Sequence, residues 1–331
     1  MTTSARTAVT TRLLSGFDDP AFPRERWNGL LGRGPTNVVF LTWEFQRAWW
    51  ESFGDDRLLL LVAAERDGEV VALAPFHADE WSISLLGQGE AEWLDVIGDA
   101  DDPEVLEALL AAARDSAPDG ADFNLAMLPG ADRLAQLNAA ADRLGLATWE
   151  LADDLIPTQD LRRPDAADVL RKKSLVRHER ALRREGELVF EHVADGAEIA
   201  AGLDAFFDQH VERWAATEYP SRFEEERDRE FIRRLTGLAS ESGWLRFTRV
   251  VWEGRPVAFH FGFCYGGRFH WWRPSFDVAL ARRSPGEVLL GSLIRRALDE
   301  HADVFDFGLG PLPFKLRFAT AVDAVGYWGT E

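Results

Sequence analysis

Four residues near the carboxyl end of the chain have the chemistry of an anion-binding site. Arg282, Arg283 and Ser284 stand immediately before a predicted helix, and Gly286 lies in its first turn. A helix start presents unbonded N–H groups and partial positive charge, and a glycine there lets a ligand approach the backbone closely. The two guanidinium groups and the hydroxyl would add charge and a further hydrogen-bond donor. The pattern predicts a phosphate site.

The elements that would position this site occur twice along the sequence. One hairpin turns at Asp67-Gly68 and a second turns at Glu253-Gly254, an offset of 254 − 68 = 186 residues. In both copies the hairpin is followed by a predicted helix and then by a predicted strand. The matched order and spacing indicate a duplicated fold, with an N-terminal domain over residues 1–158 and a C-terminal domain over residues 159–331.

Charge separates the two predicted copies. In the first copy Asp101 and Asp102 precede the equivalent helix, and their carboxylates would occupy its positive end. Residues 1–158 contain 11 Arg and 28 acidic residues, a net charge of 11 − 28 = −17, whereas residues 159–331 contain 26 Lys and Arg and 28 acidic residues, a net charge of 26 − 28 = −2. This asymmetry fits an anionic ligand bound by the second copy, and it fits equally an acidic surface without a binding role. We expect the first copy to bind phosphate poorly.

The remaining composition narrows the class of protein. Cys264 is the only cysteine, which excludes a disulfide framework and fits a reducing compartment. The segment from Met1 to Ser15 has no apolar signal region, and no stretch approaches about 18 consecutive apolar residues. We therefore expect a cytoplasmic protein without membrane insertion. The sequence carries no signal for an oligomeric state.

A second group of candidates lies on the hairpin before the phosphate-site helix. If Gly266-Gly267 form a two-residue turn, His260 pairs with Arg273. Strand alternation then places bulky aromatic residues on one face, and His260, Trp271 and Arg273 on the other face, beside small residues that leave room for a groove. His260 is a candidate catalytic residue, and Trp271 and Arg273 are candidate substrate contacts. A buried structural histidine is the alternative interpretation of His260.

Several motifs occur in an order that resembles one known group of proteins. They are Phe40-Leu41-Thr42-Trp43, the turn from Asp67 to Pro75, Arg171-Lys172-Lys173, Ser284-Pro285-Gly286, Phe305-Asp306-Phe307-Gly308 and Phe314-Lys315. Together they look like the CelD-like branch of the GNAT acyltransferase superfamily, a double-GNAT branch related to the FemAB and FemX peptidyltransferases. The resemblance covers about residues 10–328.

The resemblance implies an α/β fold of tandem GNAT-like units, each a central mixed sheet flanked by helices. The first unit would be degenerate, and the second would hold acetyl-coenzyme A or another acyl-coenzyme A between two parted strands, with no metal. The pyrophosphate would lie on the loop Arg283-x-x-Gly286-x-Val288, which includes Glu287 and partly matches the superfamily's motif. Val288 departs from the small residue that the motif has in this place.

The resemblance also implies roles for two residues near the carboxyl end. In the relatives a lysine follows the terminal strand, and FemX-like enzymes use it near the transferred carbonyl, so Lys315 would stabilise developing negative charge. Phe314 replaces the tyrosine of a Tyr-Lys pair, which removes a phenolic acid from this position. Asp306 would orient Lys315 or accept a proton through water. A surface lysine and a structural acid are the alternatives.

Basic residues dominate a predicted helix that ends at Gly186 and would be capped by Asp165 or Asp168. Its cations run from Arg171 to Arg184. A solvated face is one explanation, and a site for an anionic group, with Arg177 as a substrate contact, is the other. The anion would be a phosphorylated acceptor, the donor's phosphates or a tRNA acceptor stem. The acidic first half disfavours RNA, because binding would have to overcome long-range repulsion.

Three functions remain open from the sequence. The first is acyl transfer from coenzyme A to an amine or hydroxyl of a small or glycosidic acceptor, without a metal or a covalent enzyme intermediate. The second is a FemX-like transfer from aminoacyl-tRNA, which predicts binding that weakens steeply with salt. The third is a donor-binding or scaffold protein without catalysis, which the absence of an obvious general base keeps open.

Overall fold

The computed structural model describes residues 7–215 and 217–331 of the protein. The chain divides into two compact units, Met1–Leu155 with Ala324–Glu331, and Ile156–Asp323. The first division lies close to the boundary predicted after residue 158. The carboxyl end differs from the prediction, because residues 324–331 pair with a strand of the first unit and belong to it. Of the segment predicted to lack a signal region, residues 1–6 lie outside the described part.

The first unit combines strands with helices. In chain order its elements are β1 (Thr10–Leu13), α1 (Arg24–Leu31), α2 (Trp43–Phe53), β2 (Leu58–Arg66), β3 (Glu69–Ala78), β4 (Ser82–Leu85), β5 (Ile97–Gly98), α3 (Pro103–Ser116), β6 (Asp122–Pro129), α4 (Gly130–Arg143) and β7 (Thr148–Asp160), whose end belongs to the second unit. A 3-10 helix, Val39–Leu41, precedes α2. The sequence predicts Thr42 as the N-cap of a helix, and Thr42 caps α2, because its hydroxyl accepts a hydrogen bond from the N–H of Phe45.

The second unit has a similar series of elements. They are α5 (Lys173–Glu185), β8 (Leu188–Val193), α6 (Gly196–Trp214), α7 (Glu226–Leu238), β9 (Leu245–Trp252), β10 (Arg255–Tyr265), β11 (Arg268–Phe276), α8 (Pro285–Asp299), β12 (Val304–Asp306), α9 (Pro313–Leu316) and β13 (Ala321–Thr330), whose residues from Ala324 belong to the first unit. The sequence predicts a helix over residues 197–216; the corresponding helix, α6, ends at Trp214, and Ala216 lies outside the described residues. None of the described helices combines the length and apolar character needed to cross a membrane.

The same strand topology occurs in both units, which confirms the predicted duplication. The order is β1-β2-β3-β4-β6 with β13 beyond β6 in the first unit, and β8-β9-β10-β11-β12 with the end of β7 beyond β12 in the second. In each series the first four strands are antiparallel, and a crossover helix, α3 or α8, leads to a parallel fifth strand. Both units therefore have a mixed sheet with flanking helices, the predicted α/β class.

Matching turns close the two hairpins. Asp67 and Gly68 between β2 and β3 have φ values of 55° and 79°, and Glu253 and Gly254 between β9 and β10 have φ values of 50° and 72°. Two successive residues with positive φ form a type I′ turn, whose twist matches that of the paired strands. Glycine adopts this conformation without steric cost, which explains the shared Asp/Glu-Gly pattern.

The sheet of the second unit is packed on both faces. On one face Phe259 and Phe261 pack against Phe206 of α6, and Phe263 packs against Trp272. This bulky face is the one that strand alternation predicts to be core. The other face packs on α5 and α8 through a buried cluster that includes Leu175, Leu182, Ala258, Phe269, Trp271 and Leu289.

A β-bulge changes the register between β10 and β11. Next to the Gly266-Gly267 turn the pairing is as predicted, but residues 261–263 of β10 lie opposite residues 270–273 of β11. The extra residue of β11 turns Arg273 to the face of Phe261, which is its partner in the sheet. The predicted pairing of His260 with Arg273 is therefore wrong.

Candidate functional site

Strand β12 pairs only with the first three residues of β11. Residues 268–270 of β11 lie opposite residues 304–306 of β12, and β12 then ends. The next residue, Phe307, donates its N–H to the carbonyl of Pro157 at 3.1 Å, whereas β11 continues to Phe276. Residues 271–276 of β11 have therefore separated from β12.

A cavity of about 250 Å³, the donor cavity below, lies along this separated part of β11. Its wall is mostly apolar, with polar groups at the start of α8. It is lined by Arg213, Trp271, Pro274, Ser275, Phe276, Ala281, Ser284, Gly286, Glu287, Leu289, Leu290 and Phe314. An apolar pocket with a few converging polar groups is the usual form of a site for an organic ligand.

The start of α8 leaves polar groups at the donor cavity. Ser284 has a left-handed backbone with φ 56° and ψ 51°, its hydroxyl makes no capping hydrogen bond, and Pro285 has no N–H. The Ser284 carbonyl accepts the N–H groups of Glu287 at 3.0 Å and Val288 at 3.2 Å. The Gly286 amide and the Ser284 hydroxyl are the donors that this first turn presents. The structure thus places the predicted Ser284 and Gly286 together in one cavity wall.

Arg213, at the end of α6, supplies the positive charge in this wall. Its guanidinium lies between the rings of Trp214 and Phe276, 4.6 and 4.4 Å from their centroids. Its Nε is buried and has no hydrogen-bond partner among the described residues, and burial lowers the pKa of Arg213. The rings stabilise the cation without using its N–H groups, so within the described part of the chain the desolvated guanidinium has no anionic partner. Sequence reasoning missed Arg213, because an arginine near a helix end carries no distinguishing signal.

The two predicted arginines of the phosphate site lie outside the lining of the donor cavity. Arg282 is exposed. Arg283 packs over the ring of Trp252 at 5.1 Å and forms an ion pair with Glu185 at the end of α5. Their sequence position next to Ser284 therefore does not bring their side chains into the cavity.

The first-turn residues Glu287 and Val288 have different surroundings. Glu287 lines the donor cavity, pairs with Arg317 and lies 3.8 Å from Nε2 of His178. The guanidinium of Arg317 offsets a carboxylate that would otherwise oppose phosphate. The Val288 side chain is buried in the core between α8 and α5, and its N–H is used within the turn. Val288 thus supports the turn by packing.

His260 is fully buried beside the neighbouring strand. Its Nε2 lies 3.0 Å from the carbonyl oxygen of His270, and its ring stacks on Phe269 and Trp271 at 6.0 and 5.8 Å. A Cβ on Gly262 would lie 2.4 Å from Nε2, so only glycine leaves room for the imidazole. Burial lowers the pKa of His260 to about 3. These contacts are those of a structural histidine.

Trp271 and Arg273 contribute to different cavities. Trp271 lines the donor cavity. The guanidinium of Arg273 lies over the ring of Trp272 at 4.3 Å and lines a second cavity together with His210. The structure therefore does not bring Arg273 together with His260 and Trp271.

Lys315 is buried, so the surface-lysine interpretation is wrong. Its Nζ donates to the carbonyls of Gly308 at 3.0 Å and Leu309 at 2.6 Å. Asp306 is also buried, accepts the N–H of Gly308 at 2.8 Å and pairs with Arg268 at 2.9 Å. Both side chains therefore hold the loop that contains Gly308, and their predicted catalytic roles stay predictions.

The predicted basic helix is α5, which begins differently from the prediction. A 3-10 helix, Ala166–Arg171, precedes it, and neither Asp165 nor Asp168 caps it. Arg177 Nη2 lies 3.1 Å from Nε2 of His178. The exposed cations of α5 recur at helical spacing along an open groove: Lys173, Arg177, Arg180 and Arg184.

The repeated topology, the crossover helix and the parted parallel strands define an α/β fold with a candidate ligand site where β11 and β12 separate. Residues 170–316 match the family model described as an acetyltransferase (GNAT) domain. The match covers most of the second unit, and the repeated strand order gives the first unit a similar topology. No curated protein sequence matches the chain significantly.

Solved structures share this fold across the whole chain. FemX has a TM-score of 0.68 at 10% identity, over 96% of this chain and 96% of that chain. A protein of unknown function from Bacteroides thetaiotaomicron VPI-5482 has a TM-score of 0.64 at 13% identity, over 96% and 99%. A tandem GNAT protein from the clavulanic acid biosynthesis pathway has a TM-score of 0.51 at 13% identity, over 97% and 98%. At these identities the likeness shows the fold.

Proposed function

We propose that the protein is an acyltransferase that moves an acyl group from acyl-coenzyme A, in the simplest case acetyl-coenzyme A, to an amine or hydroxyl of a small or glycosidic acceptor. The observation that carries this proposal is the donor cavity along residues 271–276 of β11, where β11 has separated from β12. An extended chain with amide groups, such as pantetheine, can pair with a strand that lacks a neighbour. The apolar lining suits the alkyl parts of the donor.

The polar end of the donor cavity suits the diphosphate of coenzyme A. Ser284 and Gly286 present a hydroxyl and an amide, and Arg213 presents a desolvated guanidinium. A phosphate oxygen would satisfy this guanidinium with charge-assisted hydrogen bonds. Arg282 is exposed, so we assign it a weaker contribution that salt screens. No metal is required for this arrangement.

In the proposed reaction the acceptor attacks the thioester carbonyl, and the protein stabilises the negative charge that develops on its oxygen. We assign this role to backbone N–H groups of β11 at the donor cavity, and we retain Lys315 as a second source of charge, oriented by the carbonyls of Gly308 and Leu309. Asp306 acts through the same loop and is a positioning residue. Lys315→Met should keep the affinity for acetyl-coenzyme A while transfer is lost.

Calorimetric titration of the whole chain with acetyl-coenzyme A tests the donor site. Arg213→Met retains an unbranched apolar side chain and removes the charge, so it should weaken binding about 30-fold, since a charge-assisted hydrogen bond contributes about 2 kcal/mol. Arg114→Met changes an arginine of the first unit in the same way and should bind like the wild type. S-Acetylpantetheine, which lacks the diphosphate, should bind all three proteins equally.

The results separate the parts of the proposal. A wild-type chain that does not bind acetyl-coenzyme A would remove this donor. Unchanged affinity of Arg213→Met would remove Arg213 from the site and leave the cavity in place.

One observation favours a second candidate, the FemX-like use of aminoacyl-tRNA. The groove on α5 presents exposed cations that a nucleic-acid backbone could neutralise. This candidate predicts that tRNA binds, that its affinity falls steeply with salt, and that Arg177→Gln with Arg180→Gln reduces the salt dependence. Acetyl-coenzyme A binding without tRNA binding would decide for the first candidate.

A further inference from the structure

A second cavity, the aromatic cavity below, adjoins the donor cavity. It has a volume of about 200 Å³ and lies between the end of α6, the connection from α6 to α7, and β11. Pro274 of β11 lines both cavities. A group bound in the aromatic cavity would therefore lie next to a group bound in the donor cavity.

A histidine with a fixed orientation lines the aromatic cavity. His210 is buried, and its Nδ1 lies 2.8 Å from Oγ of Ser221, which also accepts the N–H of Phe223 at 3.1 Å. The rings of Phe223 and Phe206 pack edge-on against the imidazole at 4.8 and 5.9 Å. Within the described chain Ser221 is the hydrogen-bond partner of His210, and it uses Nδ1, so Nε2 is the ring nitrogen left for a ligand. A base oriented through its second nitrogen is a recurrent catalytic arrangement.

The other walls of the aromatic cavity indicate what it can hold. Trp214, Tyr219 and Trp272 supply flat rings, and 73% of Tyr219 is exposed, so its ring is available for contact. The indole N–H of Trp214 is buried without a hydrogen-bond partner among the described residues. Arg273 adds positive charge over Trp272. Flat rings favour a ring-shaped ligand, and the N–H and the guanidinium favour an anionic substituent on it.

We propose that the aromatic cavity is the acceptor site, that it binds a ring-bearing amine with an anionic substituent, and that His210 is the base that accepts the amine proton. This inference rests on the proposed acyl donor. The nitrogen lone pair forms the new bond to the acyl carbon, and the C–S bond breaks with its electron pair on sulfur. The proton lost by the amine moves to Nε2 of His210 and is then returned to the coenzyme A thiolate.

The charges around the aromatic cavity imply that the anionic substituent of the acceptor affects the pKa of His210. Burial and the positive charges of Arg273 and Arg213 lower the pKa of His210 to about 3. The imidazole is therefore neutral at pH 7, as a base must be, but it binds a proton weakly. An anionic substituent beside Arg273 would offset the field of this arginine and raise the pKa of His210. The anion would thus both anchor the acceptor and strengthen the base.

Nitrogen-15 NMR of the histidine rings and an acetyl-transfer assay test this proposal on the whole chain. Glucosamine 6-phosphate is the probe, and glucose 6-phosphate is its control without an amine. We expect the amino sugar to shift the Nε2 resonance of His210, and His210→Gln to lower transfer about 100-fold or more with acetyl-coenzyme A affinity unchanged. His192→Gln, on β8, is the matched control and should retain transfer.

Ser221→Ala tests the positioning role of Ser221. It should change the tautomer signature of the His210 ring and lower kcat with KM unchanged, an effect that a packing defect alone would not produce. This variant removes one hydroxyl, so it also carries the test if His210→Gln does not fold.

Three results would overturn the acceptor assignment. They are an unmoved His210 resonance with glucosamine 6-phosphate, an identical shift with glucose 6-phosphate, and full transfer by His210→Gln. Acetyl-coenzyme A would still bind in these cases, and the donor proposal would stand. A wild-type chain that does not bind acetyl-coenzyme A would instead overturn the proposed function itself.

Discussion

The starts of α3 and α8 occupy the same place in the two units, yet their polar groups are satisfied differently. At α3 the carboxylate of Asp102 accepts the N–H of Glu104 at 3.0 Å and pairs with Arg66 at 2.8 Å, and Asp102 is buried. At α8 the Ser284 side chain caps nothing and borders the donor cavity. One helix start therefore binds a carboxylate of its own chain. The other keeps its positive end and unbonded N–H group accessible to an anionic ligand.

The cavities beside these helix starts have opposite electrostatic character. The cavity in the first unit is lined by Glu69, Asp99 and Asp101, with Arg33 as its cation. The donor cavity in the second unit is lined by Arg213, and its one carboxylate, Glu287, is paired with Arg317. The two units therefore share a topology, but the residues that line these two cavities differ in charge.

Buried histidines should make the stability of the two units depend differently on pH, and this is the largest effect that we expect. Burial lowers the pKa of His77 in the first unit to about 4, and in the second unit it lowers the pKa values of His210 and His260 to about 3 and of His270 to about 4. When the pH falls below 6.5, the ordinary pKa of histidine, these histidines take up protons in the unfolded chain but stay neutral in the folded chain. The free energy of unfolding therefore falls as the pH drops from about 6.5 towards 4. Between pH 7.5 and 5.5 the loss should be about 4 kcal/mol for the second unit and about 1 kcal/mol for the first.

Hydrogen exchange measured by mass spectrometry at both pH values, corrected for intrinsic exchange, reports each unit separately. His77→Gln should remove most of the loss in the first unit and leave the second unchanged. Equal losses in the two units would contradict the assignment of neutral, buried histidines.

The cap of α3 provides the second test. Asp102→Ala removes the cap and leaves the guanidinium of Arg66 without its buried partner, so the free energy of unfolding should fall by about 3 kcal/mol. Urea unfolding measures this change. Asp101→Ala is the control, because the Asp101 side chain is 61% exposed, and its loss should be below about 1 kcal/mol. Acetyl-coenzyme A should bind both variants normally, and weakened binding would show that α3 takes part in the donor site.

The third test introduces at the start of α8 the aspartate found at the start of α3, and its expected effect is the smallest. Ser284→Asp places a carboxylate where Asp102 stands in the first unit, and aspartate tolerates the left-handed backbone of this position. Calorimetry should show about tenfold weaker acetyl-coenzyme A binding, since an adjacent like charge costs on the order of 1 kcal/mol near a protein surface. Ser284→Ala, which adds no charge, should bind within about threefold of the wild type. Equal affinities of the two variants would mean that phosphate does not lie at this helix start.

The duplication could be predicted from the sequence because turns and helix caps depend on residues that are adjacent in the chain. The turns at Asp67-Gly68 and Glu253-Gly254 and the cap at Thr42 depend on a few neighbouring residues, and the structure has all three. The groove-forming separation of β11 from β12 was expected from the family resemblance, and the strand ends agree with it.

Long-range packing explains what could not be predicted. Arg213 becomes part of the donor cavity because it lies between its neighbour Trp214 and the distant Phe276. The bulge lies beside Gly262, where the ring of His260 leaves no room for a Cβ, and it moves Arg273 to the other face. His210 and Ser221 meet because the chain turns back after α6, and neither residue stands in a recognisable motif.

The pairing of β13 with β6 has a consequence for how the protein folds during synthesis. Val325 lies opposite Pro129, and Trp328, which is buried, lies opposite Leu125. The sheet of the first unit therefore includes a strand that leaves the ribosome roughly 200 residues after its partner, at an elongation rate of about 5–20 residues per second. During this interval, on the order of ten seconds or more, β6 presents an unpaired edge in the emerging chain. The first unit to be synthesised is thus the last to complete its sheet.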